Sequence, residues 1–483
     1  MMKVVFHISV LLTFVFSLVC SESIVAESTW ENVELSRNID LARSYVKESV
    51  NIQIQNVASQ PESYYYFPIP EEASEDLALF LPTIEKKGRQ MALIVEPVED
   101  DFNLKNLKFF RITMPFPIAP KATIKFAVSL IYNNQIKPLP EKVEMDDKQS
   151  LVFQTNKLPL SIYPTKTYDL KFTGFQGAAN ELRLPQVPAS VFEKYASHVV
   201  DNKIIEYGPF DLSNEPLLEQ IPMAILYDRV HPLMYIDNLE RGYWVSHWAS
   251  TIQVEENYEL TNKGAALKNG FSRVDYMKKR LGTKLNPTIN SIDIPIMDDE
   301  TTEIYYTDLV GNVSTSSVIG SNLLLRPRFP IFGGWHYNFT IGFTNPLSNY
   351  LVDLGNDEFI LKVPLFNGPI DCGYNKLQFK AYLPSGSQIL NVSSSIVFED
   401  YNVEQFYSYL DITEGHTEVS MNFTNLVDEM RNTQVIIKYR LTKYDLFKKA
   451  LSISFFIFIA LISFIGVGMV DIRINTDTLK KSK

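Results

Sequence analysis

Ile124-Lys-Phe-Ala-Val-Ser-Leu-Ile-Tyr132 sets Ile124, Phe126, Val128, Leu130 and Tyr132 two residues apart, and Val50-Asn-Ile-Gln-Ile54 alternates strictly over a shorter run. A period of two belongs to a strand with one buried face, because successive side chains point to opposite sides. Further runs of this kind occur at Thr251 to Leu260, Tyr337 to Phe343, Lys376 to Leu383, Glu418 to Phe423 and Gln434 to Leu441. Breakers such as Pro115, Pro117, Pro120, Pro138 and Pro140 separate several of them. Long helical periodicity is absent outside one apolar segment near the C-terminus. The expected fold is all-β: two tandem β-sandwich-like domains of antiparallel strands, followed by one transmembrane helix.

The chain has 483 residues, enough for about two to three domains with cores of their own. Its 46% hydrophobic and 21% charged residues, with 31 Phe and 25 Tyr, are the balance of a globular protein rather than a disordered one. A net charge of −11 argues against nucleic acid as a partner, since that needs a positive footprint.

Both ends carry membrane signals. Lys3 precedes a nearly continuous apolar run from Val4 to Cys20, and Ser21, Ser23 and Ala26 offer small residues for cleavage. This is the pattern of a secretory signal peptide, placed at residues 1–22. Of two cysteines, Cys20 lies in that segment, so the mature chain keeps Cys372 alone, expected as a buried, inert thiol. From Ala450 to Val470 no charge appears, and 21 residues at about 1.5 Å each give roughly 31 Å, the thickness of a hydrocarbon core. Basic residues flank it on both sides, so their count does not orient it. The signal peptide does: residues 23–449 are expected in the lumen and 471–483 in the cytosol. That tail ends Lys480-Lys481-Ser482-Lys483, matching the dilysine retrieval pattern of endoplasmic reticulum membrane proteins. Within the span, Ser452, Ser463 and Gly466 fall within about 60° of one another, with Ala460 beside them, a small-residue face suited to another helix.

The expected division is a first β domain over 23–228, a second over 229–442, a juxtamembrane segment over 443–449, and the span. Tyr207 to Pro232, with Gly208-Pro209, Pro216, Pro222 and Pro232, reads as the linker. Beyond it the chain begins again much as the mature chain began. Val50, Ile52 and Ile54 run into Asn56 and then Tyr64-Tyr65-Tyr66; Val254, Tyr258 and Leu260 run into Asn262 and then Phe271. Two copies of one domain type explain this, and so do two ordinary hairpins.

A search for catalytic chemistry returns absences. The histidines at 7, 198, 231, 247, 336 and 416 make no zinc-ligand spacing. No nucleophile elbow, phosphate-cradling glycine loop or D-x-D pair is present. Acidic clusters at Glu71-Glu72, Asp146-Asp147 and Asp298-Asp299-Glu300 read as solvated loops. No catalytic residue, cofactor site or metal site is assigned. Four N-glycosylation sequons begin at Asn312, Asn338, Asn391 and Asn422, and Asn338 is the one expected to be occupied. The densest segment is Leu325-Arg-Pro-Arg-Phe-Pro-Ile-Phe-Gly-Gly-Trp335. Its physics favours a tight connection capped by a core Trp over an exposed aromatic ridge.

The residues Arg328, Phe329, Pro330, Gly333, Gly334 and Trp335 lie in a stretch that resembles the R-F-P-[LI]-F-G-G-W segment of the ribophorin I family. Ile304-Tyr-Tyr-Thr-Asp-Leu-Val-Gly-Asn-Val-Ser-Thr-Ser316 is similar to that family's Y-Y-R-D-x-x-G-N-x-S-T-S, and Phe271-Ser-Arg-Val-Asp-Tyr276 to its F-S-R-x-D-Y. The short tail resembles the fungal form. The resemblance implies a non-catalytic subunit of the oligosaccharyltransferase complex, which moves a preassembled oligosaccharide from dolichyl diphosphate to Asn in N-x-S/T sequons. Its implied partners are a separate multispanning catalytic subunit, the other subunits, the nascent polypeptide, the translocation channel and membrane lipid. The rival reading is a single-span adhesion or receptor-type glycoprotein, against which the dilysine tail argues.

Overall fold

The computed structural model describes residues 29–470 apart from 87, 99–105, 146, 202, 216, 281–286, 296, 297, 299, 399, 409, 410, 412 and 413. The signal segment with Cys20, and the tail with Lys480 and Lys481, lie outside the described residues.

Strands dominate, and the long ones coincide with the period-two runs: Val46–Asn56, Thr123–Tyr132, Thr251–Asn262, His336–Pro346 and His416–Val427. Each half of the chain carries an eight-stranded, a four-stranded and a three-stranded sheet. The first eight-stranded sheet runs, edge to edge, Ser197–Asp201, Ile204–Asp211, Thr165–Thr173, Trp30–Asp40, Val46–Asn56, Thr123–Tyr132, Leu77–Lys86, Arg89–Ala92. The second runs Tyr401–Phe406, His416–Val427, Gly373–Leu383, Met234–Ser246, Thr251–Asn262, His336–Pro346, Thr302–Asp308, Gly311–Asn312. Strand for strand, the two take the same path. Each opens with an antiparallel pair whose first strand also pairs in parallel with a strand reached much later, Thr165–Thr173 or Gly373–Leu383. The smaller sheets match in order too.

This settles the choice left open by the sequence between a duplication and two unrelated hairpins, and Asn56 and Asn262 show why the likeness is local as well. Both are fully buried where the second strand of their half ends. Each side-chain carbonyl accepts from the N–H two residues on, at Ala58 or Gly264. Each amide donates to a distant carbonyl, Ile118 at 2.8 Å or Ile331 at 3.1 Å. A buried side chain that satisfies several backbone groups at once fixes the entry of the next strand. Arg37 and Arg241 repeat likewise: each comes after a bulge in the first strand of its half and pairs with a buried carboxylate, Glu48 or Glu256.

One core fills each half, from Trp30 to Leu233 and from Ile236 to Leu441. The expected linker is corrected by the strands inside it. Tyr207 to Pro232 overlaps two strands of the first half, Ile204–Asp211 and Pro222–Asp228, and only residues 229–233 join the halves. Turn-forming residues misled because they serve strands here. Gly208, at φ +92, sits at a bulge where a Cβ would lie 2.7 Å from the Tyr168 carbonyl oxygen, and Pro222 starts a strand, where no ladder donor is lost. Pro115 and Pro117 are likewise inside Leu107–Ile118, at an irregularity in its pairing with Glu62–Pro70.

Candidate functional site

The three motif segments, spread over residues 271–335, fold into one cluster. Phe271 packs against Trp335 and Phe332, with ring centroids 5.6 and 5.5 Å apart, and Tyr276 approaches Phe332 at 6.0 Å. Ser272 starts the helix Arg273–Arg280, its hydroxyl accepting from the Asp275 N–H at 3.3 Å. Phe329 lies edge-on to Trp335 and Tyr337. Arg328 clamps the hairpin of the middle segment: it donates to Asp308 at 2.6 Å and to the carbonyls of Gly311 and Asn312 at 3.2 and 2.8 Å. Burial alone would raise the Asp308 carboxyl. The Arg328 bond and the N–H groups of Val310 and Gly311 outweigh it and hold the group below the usual aspartate range.

The glycines have separate reasons. Gly333 passes so close to the backbone that a Cβ would lie 2.1 Å from the Ala265 carbonyl oxygen. Gly334 adopts φ +76, a left-handed conformation that L residues resist, and its N–H donates to the Asn262 carbonyl at 2.7 Å. Trp335 is half-buried rather than the core residue expected, because Phe332 takes the fully buried position.

This cluster also joins the halves. Ala266–Leu267, bridged to Gly333, pairs in parallel with Lys142–Val143 of the first half. The Ala265 N–H donates to Gln149 at 3.0 Å, and Met145 packs with Tyr276 and Phe332. The segment that carries the resemblance is thus a packing junction, and among its described residues it presents no nucleophile–base pair.

Among the described residues no group of three His, Cys, Asp or Glu side chains could hold a metal. Glu71 and Glu72 open the short exposed helix Glu71–Glu75. A cavity of about 300 Å³ lies between the sheets of the first half, lined by Leu35, Phe67, Leu130 and Phe153 with Arg37 and Glu48. Its charges are spoken for: Arg37 is bound by Glu48, by Thr155 and by the Asn156 carbonyl. Cys372 is buried, and burial pushes its thiol well above the ordinary range, so the thiolate needed for reactivity is suppressed.

All four sequon asparagines are exposed: Asn312, Asn338, Asn391 and Asn422 each project from a strand on a solvent-facing position. The Thr340 hydroxyl of the second sequon donates to Asn257 at 2.7 Å. The apolar segment is helical from Lys443 to Met469, so the expected juxtamembrane stretch is its first two turns. From Ser454 onward the helix is bare: Ala460, Ser463 and Gly466 are exposed, while Ser452 is half-covered and donates back to the Lys448 carbonyl at 2.9 Å. It is long and apolar enough to cross a membrane. Trp248, a lone Trp in a turn that gives no signal in the sequence, donates its indole N–H to the Leu446 carbonyl in the first turn of that helix, at 3.2 Å. The duplication leaves a local trace: Phe-Pro-Ile occurs at 116–118 and again at 329–331, just before the corresponding strands Thr123–Tyr132 and His336–Pro346.

A family model described as Ribophorin I matches residues 30–468. The chain is 28% identical over 473 residues to "Dolichyl-diphosphooligosaccharide--protein glycosyltransferase subunit 1" of Caenorhabditis elegans, covering 97% of this chain and 77% of that one. It is 27% identical over 482 residues to subunit 1B of the same name from Arabidopsis thaliana, covering 97% and 99%. Likeness to a solved structure of native yeast LTA4 hydrolase is weak, with a TM-score of 0.25 over 42% of this chain and 29% of that one at 8% identity.

Proposed function

This chain belongs to the ribophorin I family, and from that premise we propose that it is a non-catalytic, membrane-anchored subunit of an oligosaccharyltransferase complex in the endoplasmic reticulum membrane. The observation that carries the reading is the span of the match, which runs from the first strand through nearly the whole apolar helix, so it is the architecture that is shared and not one module. The adhesion-type alternative has no support in these relatives.

Residues 23–228 and 229–442 are two luminal units of one duplicated type, 450–470 is the span, and 471–483 is the cytosolic tail with Lys480 and Lys481 as its retrieval signal. The exposed Ala460, Ser463 and Gly466 are offered to a helix of the multispanning catalytic subunit. The nascent polypeptide and the translocation channel are further candidate partners.

The test is purification of the tagged full chain from detergent-solubilised microsomes. A multispanning subunit should co-elute, and the eluate should transfer oligosaccharide from dolichyl diphosphate to an N-x-S/T peptide. An eluate with the chain alone and no transfer overturns the proposal.

A further inference from the structure

In each half, the turn after the first strand closes the same end of the sheet. In the first half that turn, residues 41–45, is seated on the second half. Arg229, in the joint, donates to the carbonyls of Ala42 and Arg43 at 2.9 and 2.6 Å and to Asp371 at 2.8 Å. The Ser44 N–H donates to Asp371 at 2.6 Å and the Tyr45 hydroxyl to Asp428 at 2.6 Å. Asp371 and Asp428 lie where the second half's parallel pair begins, beside Tyr235 and Gly373. The corresponding turn of the second half, residues 247–250, lies at the opposite end of that sheet, after Ser246. The two halves therefore stand head to tail, and the turn 247–250 lies at the end away from the first half.

What it holds is the start of the membrane helix. The Trp248 indole N–H donates to the Leu446 carbonyl at 3.2 Å, and its ring meets Phe447 with centroids 4.9 Å apart. Lys448 pairs with Glu414 and Lys449 with Asp411, whose carboxylate is fully buried. Leu446 packs on the core of the second half. Only Leu441 and Thr442 separate the last strand from the helix, and Thr442 caps it, its hydroxyl accepting from the Asp445 N–H at 3.2 Å. There is no slack for a hinge.

We propose that this end of the second half, with Trp248 against Phe447, lies in the headgroup layer of the bilayer, so that body and helix stand on the membrane as one rigid piece. Depth supports it. Phe447 precedes the first apolar residue by three positions, about 4.5 Å of helix rise, and Tyr444 by six, about 9 Å. The polar layer on each side of the hydrocarbon is roughly 5–8 Å thick, so Phe447 and the Trp248 ring against it fall inside the layer while Tyr444 stands beyond it. Trp248 is 61% exposed, and an amphipathic ring at that depth is favoured where one end is apolar and the other wet. Pairing of Lys448 and Lys449 with carboxylates lowers the charge that this end brings to the headgroups. The proposal rests on residues 450–470 being the span.

The full chain is reconstituted in nanodiscs whose phospholipids carry a nitroxide quencher either near the headgroup or deep in the acyl chain. Of four tryptophans, Trp30 is fully buried and Trp248 the most open. The shallow quencher should reduce tryptophan emission more than the deep one, and Trp248→Phe, which keeps an aromatic ring on Phe447, should abolish the difference. Equal quenching by both probes, or a shallow effect that survives in Trp248→Phe, overturns the proposal. Alkaline carbonate distinguishes its premise: a chain released from membranes by carbonate defeats the span itself, whereas a retained chain with unquenched Trp248 defeats only the docking.

Discussion

Replacing Gly333 by Ala should damage this protein more than the same change at Gly334, although Gly334 is the residue with the unusual backbone. At Gly333 the added methyl would stand 2.1 Å from the Ala265 carbonyl oxygen and 2.5 Å from that of Gly264. Carbon and oxygen need more than about 3 Å, and these are backbone atoms that also carry the bridge between the halves, so relief requires moving the junction. Overpacking of this kind costs about 1–3 kcal/mol, and a backbone clash belongs at the top of that range. At Gly334 the nearest atom to the new methyl is the Ala266 Cβ at 3.5 Å, ordinary contact, and the cost is conformational, from φ +76. A left-handed L residue costs roughly 1–2 kcal/mol. For a unit of this size about 1 kcal/mol moves the midpoint by roughly 2–4 °C. Thermal unfolding of the detergent-solubilised chain should then show Gly333→Ala lowered by ~6–12 °C and Gly334→Ala by ~2–8 °C. A Gly333→Ala midpoint equal to the wild type, or above that of Gly334→Ala, would refute the close approach of the motif loop to Ala265.

Asp308 is held below its ordinary range in the folded state, so its contribution is present above the unfolded carboxylate range near about pH 4 and is lost as pH falls through the lower folded value. Asp308→Asn should therefore melt below the wild type at about pH 7, with the gap closing toward about pH 3; a gap independent of pH would deny the Arg328 pairing its role. Asn338→Gln should shift the mature protein by one glycan on a gel, and an unchanged mobility means the sequon is skipped. Ser463→Leu with Gly466→Leu should reduce recovery of the chain with the multispanning subunit while leaving carbonate-resistant insertion intact. Equal recovery would assign assembly to the luminal body instead.

Features that contiguous residues decide were legible in the chain before it was folded. Alternation at Val50–Ile54 and Ile124–Tyr132 becomes strand because the burial of one face is written in neighbours two apart, and Ala450 to Met469 becomes helix because an unbroken apolar run must satisfy its own backbone in lipid. Even the duplication left a trace, since Asn56 and Asn262 each serve a local turn. Pairings between distant segments belong to the folded state. Trp30–Asp40 lies parallel to Thr165–Thr173, which no local pattern announces. Tyr207 to Pro232 looked like a linker because glycine and proline mark bulges and strand starts as well as turns, and only the partner strand tells which. Phe271, Asp308, Arg328 and Trp335 signal a family separately but become a junction only when folded against Lys142–Val143. Trp248 reaches the membrane helix across 198 residues of chain, a contact set by where the sheet ends and not by any residue near it in sequence.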